Sequence, residues 1–143
     1  METFTDQLAK AGGLFAILSF AHFFVDWFFQ THKGATSKAK DGWQRAIHCT
    51  LYTLLMSFIM IPMFGKFTWG FFFSLGILWG SHFFEDTYKP VLWWARHVRK
   101  IPDGWPADND PHAVSLSLIL GITIDQLFHL GALWVPVGFI VWG

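Results

Sequence analysis

The sequence predicts an all-α protein: a four-span transmembrane helical bundle that forms a single integral membrane domain over residues 1–143. Three observations carry this reading. Hydrophobic residues make up 53% of the chain and charged residues only 14%, whereas soluble domains carry roughly 25% charged residues. Aromatic residues reach 20%, with 17 Phe and 9 Trp, which suits lipid-facing Phe and interfacial Trp. Four apolar stretches are each long enough to cross about 30 Å of hydrocarbon.

The first span runs from about Ala11 to Gln30 and the second from about Trp43 to Phe64. The third runs from about Phe67 to Tyr88. The fourth, Ala113 to Trp142, exceeds the ~20 residues a span requires, so it tilts or starts at the surface, and Pro136 is placed to kink it. The polar segment T-H-K-G-A-T-S-K-A-K-D-G joins the first two spans, and Phe64-Gly65-Lys66 turns the second into the third. The third connection opens with K-P-V-L-W-W-A-R-H-V-R-K, a basic, aromatic segment expected as a short interfacial helix. It continues as I-P-D-G-W-P-A-D-N-D-P, whose Pro, Gly and Asp content reads as loop.

Basic residues set the orientation. Lys33, Lys38, Lys40 and Arg45 flank the first connection, and Lys89, Arg96, Arg99 and Lys100 the third. The middle turn has only Lys66. Both termini are therefore expected on the non-cytoplasmic side, with the first and third connections cytoplasmic. His22-Phe23-Phe24-Val25-Asp26 echoes His82-Phe83-Phe84-Glu85-Asp86, which suggests two helical hairpins in parallel repeat; the second halves of those hairpins do not match at that register. The formal net charge is zero, so no nucleic-acid partner is expected. Cys49 is the only cysteine, which excludes an intrachain disulfide. The N-terminus lacks the basic n-region of a cleaved signal peptide, so the first span itself is expected to direct insertion.

Seven polar side chains fall inside these spans: His22, Asp26, His48, His82, Asp86, Asp125 and His129. A charge at mid-bilayer is costly, so such groups pair, bind something or line a wet cavity. Three His/Asp pairs have i, i+4 spacing, which puts both members on one helix face. With the alternating span directions, Asp lies nearer the cytoplasm and His deeper in all three helices. His48 sits about a turn inside the second span, so all four spans feed one polar layer. Gln30 extends the first stripe by another i+4 step, and Gln126 flanks Asp125. Imidazole with carboxylate binds zinc, iron or manganese, and such sets build metal sites in helical bundles. No strong motif such as H-E-x-x-H is present.

Other residues carry blander expectations. Cys49 points about 100° away from His48 and is expected in packing. Glu85 lies one position off the His82/Asp86 face and is expected in a solvated or interfacial place, with a base role as the alternative. His32, His97 and His112 lie in connections, and Asp103, Asp108 and Asp110 lack the EF-hand spacing. Trp43, Trp69, Trp93, Trp94, Trp134 and Trp142 sit near span ends as belt anchors. Gly76 and Gly80 form a G-x-x-x-G that allows close helix contact.

Taken together, H-F-F-V-D-W-F-F-Q-T from His22, the His48 that begins the second span, H-F-F-E-D-T-Y-K-P from His82, and D-Q-L-F-H from Asp125 resemble a family of small uncharacterised bacterial and phage integral membrane proteins, known as a domain of unknown function. The resemblance runs from about Leu14 to Leu130. It implies a multi-span membrane protein with this His/Asp/Gln set and no established activity. Thr87 and Tyr88 precede Lys89 where such proteins often read H-x-x-x-D-Y-x-K, a departure that leaves His82 and Asp86 intact.

The leading functional reading is a membrane-embedded metal-binding protein, a metal-dependent hydrolase acting on a lipid or lipid-linked phosphate at the cytoplasmic interface of a bacterial inner membrane. His22, His48, His82 and His129 would be imidazole ligands. Asp26, Asp86 and Asp125 would complete coordination or act as general base. Gln30, Lys33, Arg45, Lys89 and Gln126 would face the substrate, the cations meeting a headgroup phosphate. The cofactor is a divalent transition metal, the partner is the lipid bilayer, and the sequence is compatible with an oligomer. Two alternatives remain: a transporter or proton-relay protein, and a non-catalytic scaffold with a structural His/Asp hydrogen-bond layer.

Overall fold

The computed structural model describes residues 2–29, 38–100 and 111–143, with side chains from 119 onward in the last stretch. Among the described residues the chain is all helical, with α1 Phe4–Phe28, α2 Gly42–Phe64, α3 Trp69–Glu85, α4 Lys89–His97, α5 Pro111–Ala132 and α6 Trp134–Trp142.

Local chemistry sets the ends. α1 opens with a capping box, in which Thr3 Oγ1 accepts from Asp6 N–H at 3.2 Å and Asp6 Oδ2 from Thr3 N–H at 2.9 Å. Asp41 caps α2 through Trp43 N–H at 2.9 Å, and Thr68 caps α3 through Phe71 N–H at 3.2 Å. Gly65 stops α2 in the left-handed region at φ 68°, with its N–H on the Ile61 carbonyl. Tyr88 adopts φ 64°, a costly conformation for a bulky residue, and is the N-cap from which α4 starts, two residues past the Asp86 cap of α3. The fourth apolar stretch is not one helix. Pro136 has no N–H for the Ala132 carbonyl and its ring crowds that carbonyl; α5 accordingly ends at Ala132 and α6 restarts at Trp134.

α3 packs against α2, α4, α5 and α6, while α1 packs against α2 and α6. An apolar core of Leu18, Met56, Met60, Leu78, Leu133 and Val137 fills the half of the bundle away from the first connection. At that far end, Trp142 Nε1 donates to Gln7 Oε1 at 3.2 Å, and Phe15 stacks on Trp134 with ring centres 4.4 Å apart. The close helix contact expected of Gly76 and Gly80 is elsewhere: a Cβ at either would meet nothing within 4 Å, whereas one at Gly70 would sit 2.7 Å from the Phe139 ring.

Outward faces are strongly apolar; Phe20 is 75% exposed and Phe28 74%. α1, α2 and the stretch Ile119–Trp142 are long and apolar enough to cross a membrane. α3, at 17 residues, stands at the lower limit for a span. α4 turns Val91 and Ala95 inward and leaves Trp93 exposed, an amphipathic helix like the one its sequence suggests.

Candidate metal centre

Where α1, α2, α3 and α5 meet, the bundle core changes from apolar to polar. His22, Asp26, His48, His82, Asp86, Gln126 and His129 are all buried there. Four imidazoles cluster, with ring centres 4.3 Å apart for His82 and His129, 5.0 Å for His48 and His82, and 5.4 Å for His22 and His129. Tyr52 forms the floor; its ring stacks on His82 with centres 4.1 Å apart.

His22 has no free nitrogen. Its Nε2 lies 3.0 Å from Gln126 Oε1 and its Nδ1 3.0 Å from the Tyr52 hydroxyl. An amide oxygen only accepts, so Nε2 carries the proton and Nδ1 accepts from Tyr52. The residue braces α1 against α2 and α5 and offers no donor to a metal, a departure from the ligand role expected of it. Gln126 is likewise engaged with His22 rather than facing outward.

His48, His82 and Asp26 converge. His48 Nε2 lies 2.9 Å from His82 Nε2 and 2.9 Å from Asp26 Oδ1, and His82 Nε2 is 3.4 Å from the same oxygen. No placement of protons makes all three contacts hydrogen bonds, because a ring N–H aimed at the carboxylate leaves the other nitrogen facing an acceptor or a donor of its own kind. A cation removes the conflict. Ligand atoms 2.0–2.1 Å from one ion sit about 2.9 Å apart at right angles and about 3.4 Å apart at tetrahedral angles, the range seen here. Asp86 Oδ2 approaches from α3, 3.5 Å from His48 Nε2 and 3.6 Å from His82 Nε2.

His129 stands beside this set. Its Nδ1 donates to the Asp125 carbonyl at 2.8 Å, so the i, i+4 partner is Asp125 backbone, not its carboxylate. The lone pair on Nε2 is left pointing inward, buried, without a hydrogen-bond partner and 3.7 Å from Asp86 Oδ1. Asp125 Oδ1 is also buried and unpartnered. Among the described residues three groups offer donor atoms within 4.8 Å of one another: Asp26/His48/His82, Cys49/His82/Asp86 and Asp86/Asp125/His129. The buried His/Asp clusters of this chain could therefore hold a metal ion.

Several residues stand apart from their expected places. Lys38 reaches in from the first connection, with Nζ 2.7 Å from Asp86 Oδ1 and 3.9 Å from Asp26 Oδ1. Burial opposes its charge, yet Asp26 and Asp86 outweigh burial and hold its pKa above the ordinary lysine value. Glu85 is buried rather than solvated, with Oε2 3.7 Å from His129 Nδ1. Cys49, expected in packing alone, lies within metal-ligand reach of His82 and Asp86. Arg45 turns away, donating to the Lys38 carbonyl at 2.8 Å and lying over the Phe83 ring. Lys89 is exposed beyond the end of α3. Gln30, Lys33, His32, Asp103, Asp108 and Asp110 lie outside the described residues, as does the side chain of His112.

The model of one protein family, described as protein of unknown function DUF3307, matches residues 14–141. The chain belongs to that family. Every residue of the polar layer falls within the matched span. No curated protein and no solved structure matches the chain.

Proposed function

We propose that this DUF3307 chain is a four-span membrane protein that holds a divalent transition metal, zinc, iron or manganese, and hydrolyses a lipid or lipid-linked phosphate at the cytoplasmic face of a bacterial inner membrane. The observation that carries the metal is the convergence of His48 Nε2, His82 Nε2 and Asp26 Oδ1, with mutual distances of 2.9, 2.9 and 3.4 Å. A structural hydrogen-bond layer would leave its polar atoms paired; here Asp125 Oδ1 and His129 Nε2 are buried without a hydrogen-bond partner. A conduit would need access from both sides, and the apolar core of Leu18, Met56, Met60, Leu78, Leu133 and Val137 closes the far half of the bundle.

Two features favour a lipid phosphate. Lys38 brings an ammonium to the layer from the connection whose basic flanks mark it as cytoplasmic. An apolar groove of about 280 Å³ between α1 and α5, lined by Phe23, Trp27, Ile122 and Leu127, has Gln126 in its wall and would seat an acyl chain beside the site. A bound divalent ion would supply Lewis acidity toward a phosphoryl oxygen and acidify an attacking water. With Asp86 committed to a bound ion, the Lys38 ammonium would be free to hold a phosphate oxyanion. Asp125 takes the water proton as the new P–O bond forms, the ester P–O bond breaks, and the alcohol leaves with a proton from the aqueous side.

Protein purified in mild detergent without chelator should carry transition metal in stoichiometric amount. A chelator should strip it more readily at mildly acid pH, because imidazole and carboxylate bind only when deprotonated. The stripped protein should melt at a lower temperature and release no phosphate from a phospholipid substrate. A metal-free, chelator-insensitive protein of full stability would overturn the reading. For topology, cysteines introduced near Lys38 and Lys66 should label from opposite sides of oriented vesicles; labelling from one side would overturn the four-span arrangement.

A further inference from the structure

The geometry points to a second cation position beside the first, with Asp86 as the bridging carboxylate, so that the site is binuclear. This rests on the metal site proposed above and goes beyond it. Asp86 faces two ways. Its Oδ2 lies 3.5 and 3.6 Å from the Nε2 atoms of His48 and His82, while its Oδ1 lies 3.7 Å from His129 Nε2. His129, Asp125 and Asp86 each present a donor atom within 4.8 Å of the others.

His129 already has the form of a metal ligand. Metal-binding imidazoles commonly donate their other ring N–H to a carbonyl or carboxylate, which fixes the tautomer. His129 Nδ1 does this to the Asp125 carbonyl at 2.8 Å. The bare Nε2 that remains is buried, unpartnered, and opposed by a carboxylate oxygen. His129 Nε2 and Asp86 Oδ1 face each other with no proton between them, and the Lys38 ammonium, 2.7 Å from Oδ1, compensates the oxygen but not the nitrogen.

Charge makes the same argument independently. Among the described residues the layer holds four carboxylates, Asp26, Glu85, Asp86 and Asp125, against one ammonium, that of Lys38, and these groups sum to a formal charge of −3 if all are ionised and the imidazoles neutral. One divalent ion would leave −1 in a low-dielectric interior, which repels a phosphate. Two would leave +1, which attracts one. Paired ions about 3.5–4 Å apart also suit in-line displacement at phosphorus, because both the attacking and the leaving oxygen are stabilised.

The test is manganese titration of full-length, metal-stripped protein in detergent, with bound metal counted per chain and the spin state followed by electron paramagnetic resonance. The expected result is two Mn²⁺ per chain with an exchange-coupled spectrum. His129→Ala should bind one Mn²⁺ with the six-line spectrum of an isolated ion, and Asp86→Asn should lose the coupling. Asp125→Asn, nearly isosteric, should weaken the second Mn²⁺ at least tenfold and serves if His129→Ala does not fold. One Mn²⁺ in the parent protein, unchanged in Asp125→Asn, overturns the binuclear centre and leaves the single metal site standing. Two uncoupled ions overturn the bridge. No bound Mn²⁺ overturns both readings.

Discussion

His22 and Asp26 in α1 and His82 and Asp86 in α3 share one spacing and one H-F-F-x-D string, yet they do different work. In α3 both members turn to the same cluster, His82 Nε2 and Asp86 Oδ2 lying 3.6 Å apart and both near His48. In α1 the pair divides. Asp26 reaches across to His48 and His82, while His22 spends both nitrogens on Tyr52 and Gln126. Spacing of i, i+4 places two side chains on one face; what each meets is decided by the neighbouring helices. α3 packs on both α2 and α5 and presents its pair to His48 and His129 there, whereas α1 meets Tyr52 of α2 at the depth of His22. A repeat in sequence has become a pair turned to one cluster in one helix, and in the other a cluster member with its brace.

Substitutions can break that contrast. The largest effect is expected from His82→Ala. It removes a converging nitrogen and leaves Asp26 and Asp86 short of a partner, so metal should be lost and stability should fall by about 3–5 kcal/mol, read as metal per chain and thermal midpoint. His22→Ala should behave differently: metal stays bound but 10–100-fold more weakly, as when a supporting contact is lost. Equal metal loss in both variants would erase the distinction between the two copies.

Lys38→Met comes next. The metal-free protein should lose ~1–3 kcal/mol, below the buried-pair range because Lys38 keeps partial exposure. Metal should restore most of that stability, since it neutralises the same carboxylates. A loss that persists in the metal-loaded protein would place Lys38 in the framework instead.

Tyr52→Phe sharpens the brace. The ring stack on His82 survives while the hydroxyl at His22 Nδ1 goes, so the cost should be about 1 kcal/mol in thermal unfolding. The smallest effect belongs to His97→Ala. His97 is exposed on α4, with Nδ1–H donating only locally to the Trp93 carbonyl, and the variant's stability should stay within about 0.5 kcal/mol of the parent. A shift comparable to that of His82→Ala would deny the polar layer any special standing.

Much of this was legible beforehand. Hydropathy marks the long helices, and Lys89 to His97 reads as a short interfacial helix because its basic and aromatic residues alternate with apolar ones. The polar layer follows from titratable residues in apolar runs. Its wiring does not. Lys38 could not be singled out, since a lysine in a polar connection is unremarkable until the chain folds back over Asp86. Glu85 lies one 100° step off the His82/Asp86 face, and that step turns it toward His129 of α5 rather than toward solvent, which the sequence does not tell because it does not say which helix stands there. Tyr52 carried a usable signal: it lies four residues after His48 and so shares its face. Pro136 announced a bend, and its clash with the carbonyl four residues earlier names Ala132 as the last residue of α5.

That interruption has an electrical side. A helix behaves as a dipole with roughly half a negative charge at its carboxyl end. Had the last span run unbroken to Trp142, that pole would lie at the far surface. Ending α5 at Ala132 instead sets it three residues past His129. α1 finishes at Phe28, two residues past Asp26, and α3 at Glu85, beside Asp86. The N-terminal pole of α6, opening at Trp134, offsets that of α5 in part, so the carboxyl poles left at the layer are chiefly those of α1 and α3. Those two backbones favour a cation there before any side chain is counted.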